Sequence, residues 1–279
     1  MTDFRALVAQ AGGNDLDYAA PGLPDRKIVL RSARPRNWTP QTPLLFVHHG
    51  VERNGADYRN YWLPLVDSAN LLVIVPEFPK ASFPGSAWYN YGNRTGAHGE
   101  PNPMAQWTYV VDQTLFPALQ QAGLVAGKDY GVWGHSAGAQ YVHRMVSLGM
   151  RDHLRIAISA NAGSYAMPDL ETPFPYGLGG TGLTPAALAS LLQFPLTIMT
   201  GTADTKTDSA AFPKEAGAMA QGANRHLRAQ AYHAAALAQS KSLGVACAWR
   251  ITDVPNIGHD GKRMAAAAAP TLSAALHAS

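Results

Sequence analysis

The chain has 279 residues, enough to bury a sizeable hydrophobic core. Apolar residues make up 47% of it and charged residues 15%, which excludes a disordered chain and a coiled coil. The formal net charge is +3, but the lysines and arginines are scattered, so we expect no nucleic-acid partner. We expect residues 1–279 to form a single domain.

No segment of the sequence indicates a membrane span or a leader peptide. There is no run of 18 apolar residues, so we expect no membrane partner. The start, from Met1 to Val8, lacks the basic and apolar segments of a secretory signal. Cys247 is the single cysteine, which excludes an internal disulfide and fits a reducing compartment. These features predict a cytoplasmic protein, although a processed secreted protein would have the same start; the oligomeric state is left open.

Strand and helix patterns alternate along the chain after an irregular start. Strands are predicted at 27–31, 44–49, 71–75, 130–134, 154–159, 196–199 and 246–254, and helices at 105–122, 136–148, 184–192, 222–243 and 262–278. The continuously apolar run 71–75 is typical of a central parallel strand that is covered on both faces. The alternation predicts an α/β fold with a mostly parallel sheet between helices. Cys247, in the last predicted strand, is expected to be an inert core thiol.

The segment 163–182 is dense in glycine and proline and lacks a strand or helix pattern. Long irregular connections of this kind in compact domains are often functional. Together with the helix predicted at 184–192, it predicts a small lid or pocket wall over 163–195.

The pentapeptide 134–138, Gly-His-Ser-Ala-Gly, lies where a predicted strand turns into a predicted helix. A sharp strand-to-helix turn exposes the hydroxyl of its central residue, Ser136, above the sheet. The glycines at 134 and 138 allow strand and helix to approach closely. Gly-x-Ser-x-Gly alone is a weak pattern, but in this position it predicts that Ser136 is a nucleophile.

A serine nucleophile needs a histidine to accept its proton and an acid to orient that histidine. Asp204 follows the predicted strand 196–199, and His259 follows the last predicted strand. The carboxyl ends of parallel strands meet at one edge of a sheet, so these side chains can converge on Ser136. The sequence predicts Ser136, Asp204 and His259 as a catalytic triad, with Asp208 and Asp169 as alternative acids.

The early segment His48-His49-Gly50-Val51 follows another predicted strand. Acyl transfer creates an oxyanion that needs two backbone N–H donors, one of them after the nucleophile and one from an early loop. The sequence predicts Val51 and Ala137 as these donors, with His49 bracing the loop.

The substrate pocket is less clearly marked. The aromatic segment 88–93 is either a self-packed surface loop or a wall that stacks a flat group, with aromatic residues of 163–182 facing it. The candidate pocket residues are His49, Trp88, Tyr89, His135, Tyr165 and Tyr176.

No metal or cofactor is expected. His48 and His49 are neighbours on a predicted strand, so their side chains point to opposite faces and cannot easily share an ion, even with His135 nearby. No Gly-x-Gly-x-x-Gly turn or Walker loop occurs in the sequence, so we expect no nucleotide cofactor.

With these motifs in this order, the chain resembles the α/β-hydrolase superfamily over nearly its whole length. Within it, the His49-Gly50 loop, the elbow at 134–138 and the 163–182 segment are most similar to bacterial poly(3-hydroxyalkanoate) depolymerases and feruloyl esterases. The resemblance implies a serine esterase that cleaves small or polymeric carboxylic esters through an acyl-enzyme. Those relatives are often secreted and disulfide-bonded, whereas this chain has one cysteine.

Two other functions fit the same motifs. A peptidase or amidase uses the same triad, and the motif does not separate it from an esterase. A non-catalytic binding protein could keep the fold and use the crevice for a ligand.

Overall fold

The computed structural model describes residues 2–23, 25–96 and 98–278. Its strands are β1 (Gly12–Ala19), β2 (Lys27–Arg34), β3 (Leu44–His48), β4 (Leu72–Glu77), β5 (Tyr130–His135), β6 (Leu154–Ala160), β7 (Leu196–Gly201) and β8 (Arg250–Val254). Its α-helices are α1 (Gly55–Trp62), α2 (Val66–Ala69), α3 (Gly85–Trp88), α4 (Val110–Gln121), α5 (Ala137–Ser147), α6 (Pro185–Leu192), α7 (Ala216–Met219), α8 (Arg225–Leu243) and α9 (Gly261–His277). Short 3-10 helices lie at Phe4–Val8 and Met104–Gln106.

The eight strands found in the described residues form one sheet in the order β1-β2-β4-β3-β5-β6-β7-β8. β1 and β2 are antiparallel to their neighbours, and from β4 to β8 all pairs are parallel. The α/β class and the mostly parallel sheet predicted from the sequence are confirmed.

Helices cover both faces of the sheet because the central strands are apolar on both sides. In β3, Leu44 and Phe46 face one core, with residues of α4, α5, α6 and α8. Leu45 and Val47 face the other core, with residues of α1, α2 and α9. This two-sided burial explains the continuous apolar runs in the sequence of the parallel strands.

Several regular elements in the first part of the chain were not predicted, and the longest of them are β1 and α1. The segment expected to be irregular contains β1, an edge strand with the polar sequence GGNDLDYA, which pairs with β2 from Gly12↔Arg34 to Ala19↔Lys27. Helix α1 was missed too, and three of its eight residues are buried against the sheet. Both elements take their stability from tertiary contacts, because neither has a strong apolar period of its own.

The expectation for Cys247 was wrong in part. β8 begins at Arg250, so Cys247 precedes the strand, and its side chain is half-buried against the core. The turn after α8 occupies the first part of the range that was predicted as strand.

Four strands end at one edge of the sheet with the residues that the sequence predicted to act together. β3 ends before His49, β5 before Ser136, β7 before Asp204 and β8 before His259. Because these strands are parallel, their carboxyl ends share one edge, where ligands bind in open α/β sheets. No helix in the described part of the chain is long and apolar enough to cross a bilayer.

Candidate active site

Ser136 lies on a strained turn between β5 and α5. Its backbone has φ 58° and ψ −116°, which a residue with a side chain rarely adopts. The backbone N–H of Ser136 donates to the carbonyl of Ala160, over 3.0 Å. A β-carbon at Gly134 would collide with the backbone of Gly138, and one at Gly138 would collide with the carbonyl of His48. The two glycines therefore permit the close approach that lifts Ser136 above the sheet edge.

The structure brings Ser136, His259 and Asp204 into one hydrogen-bonded chain. The Oγ of Ser136 lies 2.9 Å from Nε2 of His259, and Nδ1 of His259 lies 2.8 Å from Oδ2 of Asp204. The side chain of Asp204 is 1% exposed, whereas that of His259 is 30% exposed. The imidazole therefore faces the cleft, and the carboxylate behind it is shielded from water.

Asn161 joins the two loops that carry Asp204 and His259. It follows β6 with a positive φ of 52°, which asparagine tolerates better than most residues. Its Nδ2 donates to the carbonyl of Gly258 over 3.0 Å, and its Oδ1 accepts from the N–H of Gly201 over 2.8 Å. Sequence reasoning missed this residue; an asparagine directly after a predicted strand was the available signal.

The alternative acids lie apart from His259. Asp208 is exposed on the loop after β7. Asp169 accepts from the N–H groups of Glu171 and Thr172, within the segment that follows β6. Of the three candidates, Asp204 is the one that forms a hydrogen bond with His259.

The two predicted oxyanion donors, Val51 and Ala137, lie at the same cavity. Val51 and Ala137 line one cavity together with Ser136. Ala137 begins α5, so its N–H has no partner within the helix. In the part of the chain that the structure describes, neither N–H donates to a protein acceptor. This arrangement leaves both donors available to an oxygen above Ser136.

The hydrogen bonds of His49 determine which ring nitrogen carries its proton. Its Nε2 lies 3.0 Å from the backbone N–H of Phe78, so Nε2 is the acceptor. Nδ1 therefore carries the proton and donates to the carbonyl of Gly50, 3.0 Å away. Burial lowers the pKa of His49 to about 3, so the ring is neutral. Because the carbonyl of Gly50 and the N–H of Val51 belong to one peptide plane, His49 orients the Val51 donor.

His135 packs beside the ring of His259. Its Nδ1 lies 2.9 Å from Oη of Tyr58, and its ring centroid lies 4.7 Å from that of His259. Burial raises the pKa of the Tyr58 hydroxyl, which keeps its proton and donates to Nδ1. Burial also lowers the pKa of His135 well below its usual value, so this ring stays neutral as a support for His259.

Two cavities meet at Ser136. The first, of about 220 Å³, is lined mainly by polar groups, including Asn90, Tyr91, Gln140 and Glu215. The second, of about 300 Å³, is lined by Tyr58, Tyr61, His135, Arg225 and His259, among others. Val51, Ser136 and Ala211 line both.

Most of the aromatic pocket residues that were predicted do not line these cavities. His49, Tyr89 and Tyr165 are fully buried. The ring of Tyr89 stacks on His49 at 4.7 Å, and that of Tyr165 stacks on Tyr232 at 4.4 Å, so both pack the core. Trp88 lies under the guanidinium of Arg26.

Neither Tyr176 nor most of the segment predicted as a lid is among the described residues that line the cavities at Ser136. Tyr176 is half-buried against Gly217, and it is not among the described residues that line either cavity. From 163–195, only Gly163 is among the described residues lining either cavity at Ser136. Residues 209–213, on the loop after β7, line these two cavities instead. That 163–195 forms a lid within a single domain stays a prediction.

Sequence reasoning missed Tyr58, Gln140, Phe212 and Arg225 as residues of the cleft. Tyr58 belongs to the unpredicted α1, and Gln140 and Arg225 lie on helices whose amphipathic pattern marks them only as polar positions. Phe212 lies in a loop whose path the sequence does not determine. His48, the neighbour of His49, is buried and lies 2.8 Å from Oδ2 of Asp112. Among the described residues, no three His, Cys, Asp or Glu side chains form a cluster able to hold a metal.

Known structures share this fold. No family model and no curated protein sequence matches the chain. The structure of LpqC, described as a poly(3-hydroxybutyrate) depolymerase from Bordetella parapertussis, is 36% identical and has a TM-score of 0.92, covering 96% of this chain and 91% of that one. Poly(aspartic acid) hydrolase-1 from Sphingomonas sp. KT-1 is 32% identical with a TM-score of 0.90, covering 94% and 99%.

A more distant structure supports the fold alone. An S-formylglutathione hydrolase from Agrobacterium tumefaciens is 14% identical, with a TM-score of 0.59 over 96% of this chain and 97% of that one. The sheet, its flanking helices and these likenesses define an α/β-hydrolase fold. The chain belongs to the α/β-hydrolase family that includes LpqC and poly(aspartic acid) hydrolase-1, and it is a hydrolase. The resemblance to depolymerases and esterases that the sequence indicated is confirmed.

Proposed function

We propose that the protein hydrolyses carboxylic esters through an acyl-enzyme formed on Ser136. The observation that carries the proposal is the hydrogen-bonded chain from Ser136 through His259 to Asp204. In that chain Nε2 of His259 accepts the serine proton, while Asp204 holds the proton on Nδ1 and stabilises the imidazolium.

In the first step, Oγ of Ser136 attacks the ester carbonyl and its proton moves to His259. The oxyanion accepts hydrogen bonds from the N–H groups of Val51 and Ala137. The imidazolium then protonates the leaving alkoxide, and the alcohol departs. Water, deprotonated by His259, attacks the acyl-enzyme, and the proton returns to Ser136 as the acid leaves.

The two cavities support opposite roles for the two halves of the ester. The leaving oxygen must lie near Nε2 of His259 to receive its proton, so the cavity that His259 lines takes the alcohol. The acyl group then enters the cavity of about 220 Å³, which offers the amides of Asn90 and Gln140 and the carboxylate of Glu215. A cavity of this size and polarity favours a short acyl group that can form hydrogen bonds.

A fluorophosphonate probe tests the nucleophile. We expect one adduct, located on Ser136 by mass spectrometry, and a loss of at least about 10⁴-fold in p-nitrophenyl acetate turnover in Ser136→Ala. Ser209 lines the alcohol cavity, so Ser209→Ala is the matched control and should keep its turnover within about threefold of the unsubstituted protein. An adduct at another residue, or an active Ser136→Ala, would disprove the assignment.

An amide substrate is the second candidate, favoured by the likeness to poly(aspartic acid) hydrolase-1. Amines leave less readily than alkoxides, so amide cleavage demands closer protonation by His259. A matched pair of p-nitrophenyl ester and p-nitroanilide with the same acyl group separates the two. Faster anilide cleavage would replace the ester proposal by the amide one.

A further inference from the structure

The carboxylate of Asp204 is buried with only one of its oxygens hydrogen-bonded. Oδ2 accepts from Nδ1 of His259. Oδ1 is shielded from solvent, and in the described part of the chain it has no hydrogen-bond partner. A carboxylate at 1% exposure is costly in this state unless a second charge offsets the loss of water.

That charge is the guanidinium of Arg225, the first residue of α8. Its Nη1 lies 3.6 Å from Oδ1 of Asp204, and the side chain is 3% exposed. The guanidinium carbon also lies 5.1 Å from the ring centroid of Phe212, which lines the acyl cavity. Burial lowers the pKa of Arg225, whereas the charge of Asp204 raises it. Arginine remains protonated even when its pKa falls, so a positive charge lies beside this carboxylate.

We propose that Arg225 is a positioning residue of the triad, whose charge holds the buried carboxylate of Asp204 directed at His259. The inference rests on the proposed function, because it assigns a role within the same reaction. An Asp204 carboxylate that turns away releases Nδ1 of His259, and the ring is then no longer held with an unprotonated Nε2 towards Ser136. In a comparable triad, loss of this orientation by Asp-to-Asn substitution costs about 10⁴-fold in kcat.

Two titratable groups near the pair are neutral, and Arg228 is a second buried cation close to Arg225. Tyr165, on the segment after β6, faces Asp204, and its pKa is raised by burial, so it keeps its proton. His135, at the end of β5, faces both His259 and Arg225, and its pKa is lowered by burial. Of the ion pairs in the described residues, two include Asp204, and their partners are His259 and Arg225. Arg225 is thus the permanent cation that faces this carboxylate.

Arg228, one turn along α8, is a matched control. It is also buried, and its guanidinium carbon lies 4.3 Å from the ring centroid of Phe212. It donates to the carbonyls of Gly222 and Pro213, each over 3.0 Å, but it forms no ion pair with Asp204. Substituting either arginine therefore removes packing on Phe212, whereas only a substitution of Arg225 removes the contact with Asp204.

The experiment compares Arg225→Gln, Arg225→Lys and Arg228→Gln by kcat/KM over about pH 5 to 9, per folded molecule, on p-nitrophenyl acetate. For Arg225→Gln we expect kcat to fall roughly 10- to 100-fold with little change in KM. The acid limb of the profile should move to lower pH, because an imidazolium that loses the directed carboxylate of Asp204 gives up its proton more readily, whereas loss of the Arg225 charge alone would move the limb to higher pH. Arg225→Lys restores the position of the limb. Arg228→Gln lowers Tm but leaves the limb unchanged.

A limb in Arg225→Gln that stays in place or moves to higher pH, or a limb that moves equally in Arg228→Gln, overturns the inference. Should Arg225→Gln not fold, the double variant with Asp204→Asn decides, because removing both charges leaves no orphan buried carboxylate. If the double variant folds, the result supports the charge pair between Arg225 and Asp204. If it does not fold, Arg225 contributes only packing. Failure of the proposed function is distinguished by the probe: an unlabelled Ser136 refutes ester hydrolysis, whereas a labelled Ser136 with an unmoved limb refutes only the role of Arg225.

Discussion

Two fully buried histidines, His49 and His143, make similar hydrogen bonds in different parts of the molecule. His49 joins the backbone of Phe78 to the carbonyl of Gly50, next to the proposed oxyanion donor. His143 makes the same two kinds of bond, from Nδ1 to the carbonyl of Ala139 over 2.9 Å and from the N–H of Ala166 to Nε2 over 3.0 Å. Both rings bridge backbone segments, but of the two only His49 binds the loop that carries the proposed oxyanion donor Val51.

This difference yields a paired prediction. His49→Ala and His143→Ala should both lower the free energy of unfolding by about 2–4 kcal/mol, since each leaves buried polar groups unpaired and a cavity. His49→Ala should also lower kcat roughly 10- to 100-fold per folded molecule, because the Val51 donor loses its orientation. Urea titrations and p-nitrophenyl acetate kinetics on both proteins measure the two effects. Equal kcat values would show that His49 has no part in the oxyanion hole.

At the scale of elements, the elbow depends on contact between β3, β5 and α5. Gly138 lies in the first turn of α5, where it meets the carbonyls of His48 and His49 at the end of β3. This packing brings the proposed oxyanion loop next to Ser136.

Gly138→Ala is expected to separate α5 from β3. Its β-carbon would meet backbone atoms, which cannot turn aside as a side chain can, so we expect a loss of about 3 kcal/mol or more in stability. That corresponds to a fall in Tm of roughly 5–10 °C. Gly127→Ala is the control, because its nearest atom would be the carbonyl oxygen of Asp129, 3.6 Å away. Calorimetry showing equal Tm values for both variants would contradict this account of the elbow.

At the scale of the whole molecule, several buried imidazoles make stability depend on pH. Burial lowers the pKa of His49 from 6.5 to about 3, and it lowers those of His135 and His143 well below 6.5. In the unfolded chain these rings take up protons as the pH falls below about 6.5, whereas in the folded protein they remain neutral. Their contribution is therefore complete above pH 6.5 and is lost as the pH falls towards the folded-state values.

The free energy of unfolding should therefore fall between pH 7 and pH 4.5. Each such histidine contributes a slope of up to about 1.4 kcal/mol per pH unit. Urea unfolding of His143→Gln, which lacks one of these groups, should show a shallower slope than the unsubstituted chain by about that amount. Identical slopes would mean that His143 is protonated in the folded protein.

The sequence by itself determined the local features: the alternation of strands and helices, the glycine-flanked Ser136, and the chain order of Ser136, Asp204 and His259. These follow from apolar periodicity and turn chemistry, which act over a few residues. Helix α1 was not predicted, because it is buried by packing against the sheet and its own sequence has no clear apolar period.

Only the tertiary structure decided between Asp204, Asp208 and Asp169, because the choice depends on which carboxylate reaches His259 across 55 residues of chain. It also showed that Tyr89 and Tyr165, which were predicted in the pocket, are buried in the core, and that Arg225 lies beside Asp204. Whether a side chain faces a cleft or a core depends on how distant segments pack. That packing leaves no period or spacing in the sequence.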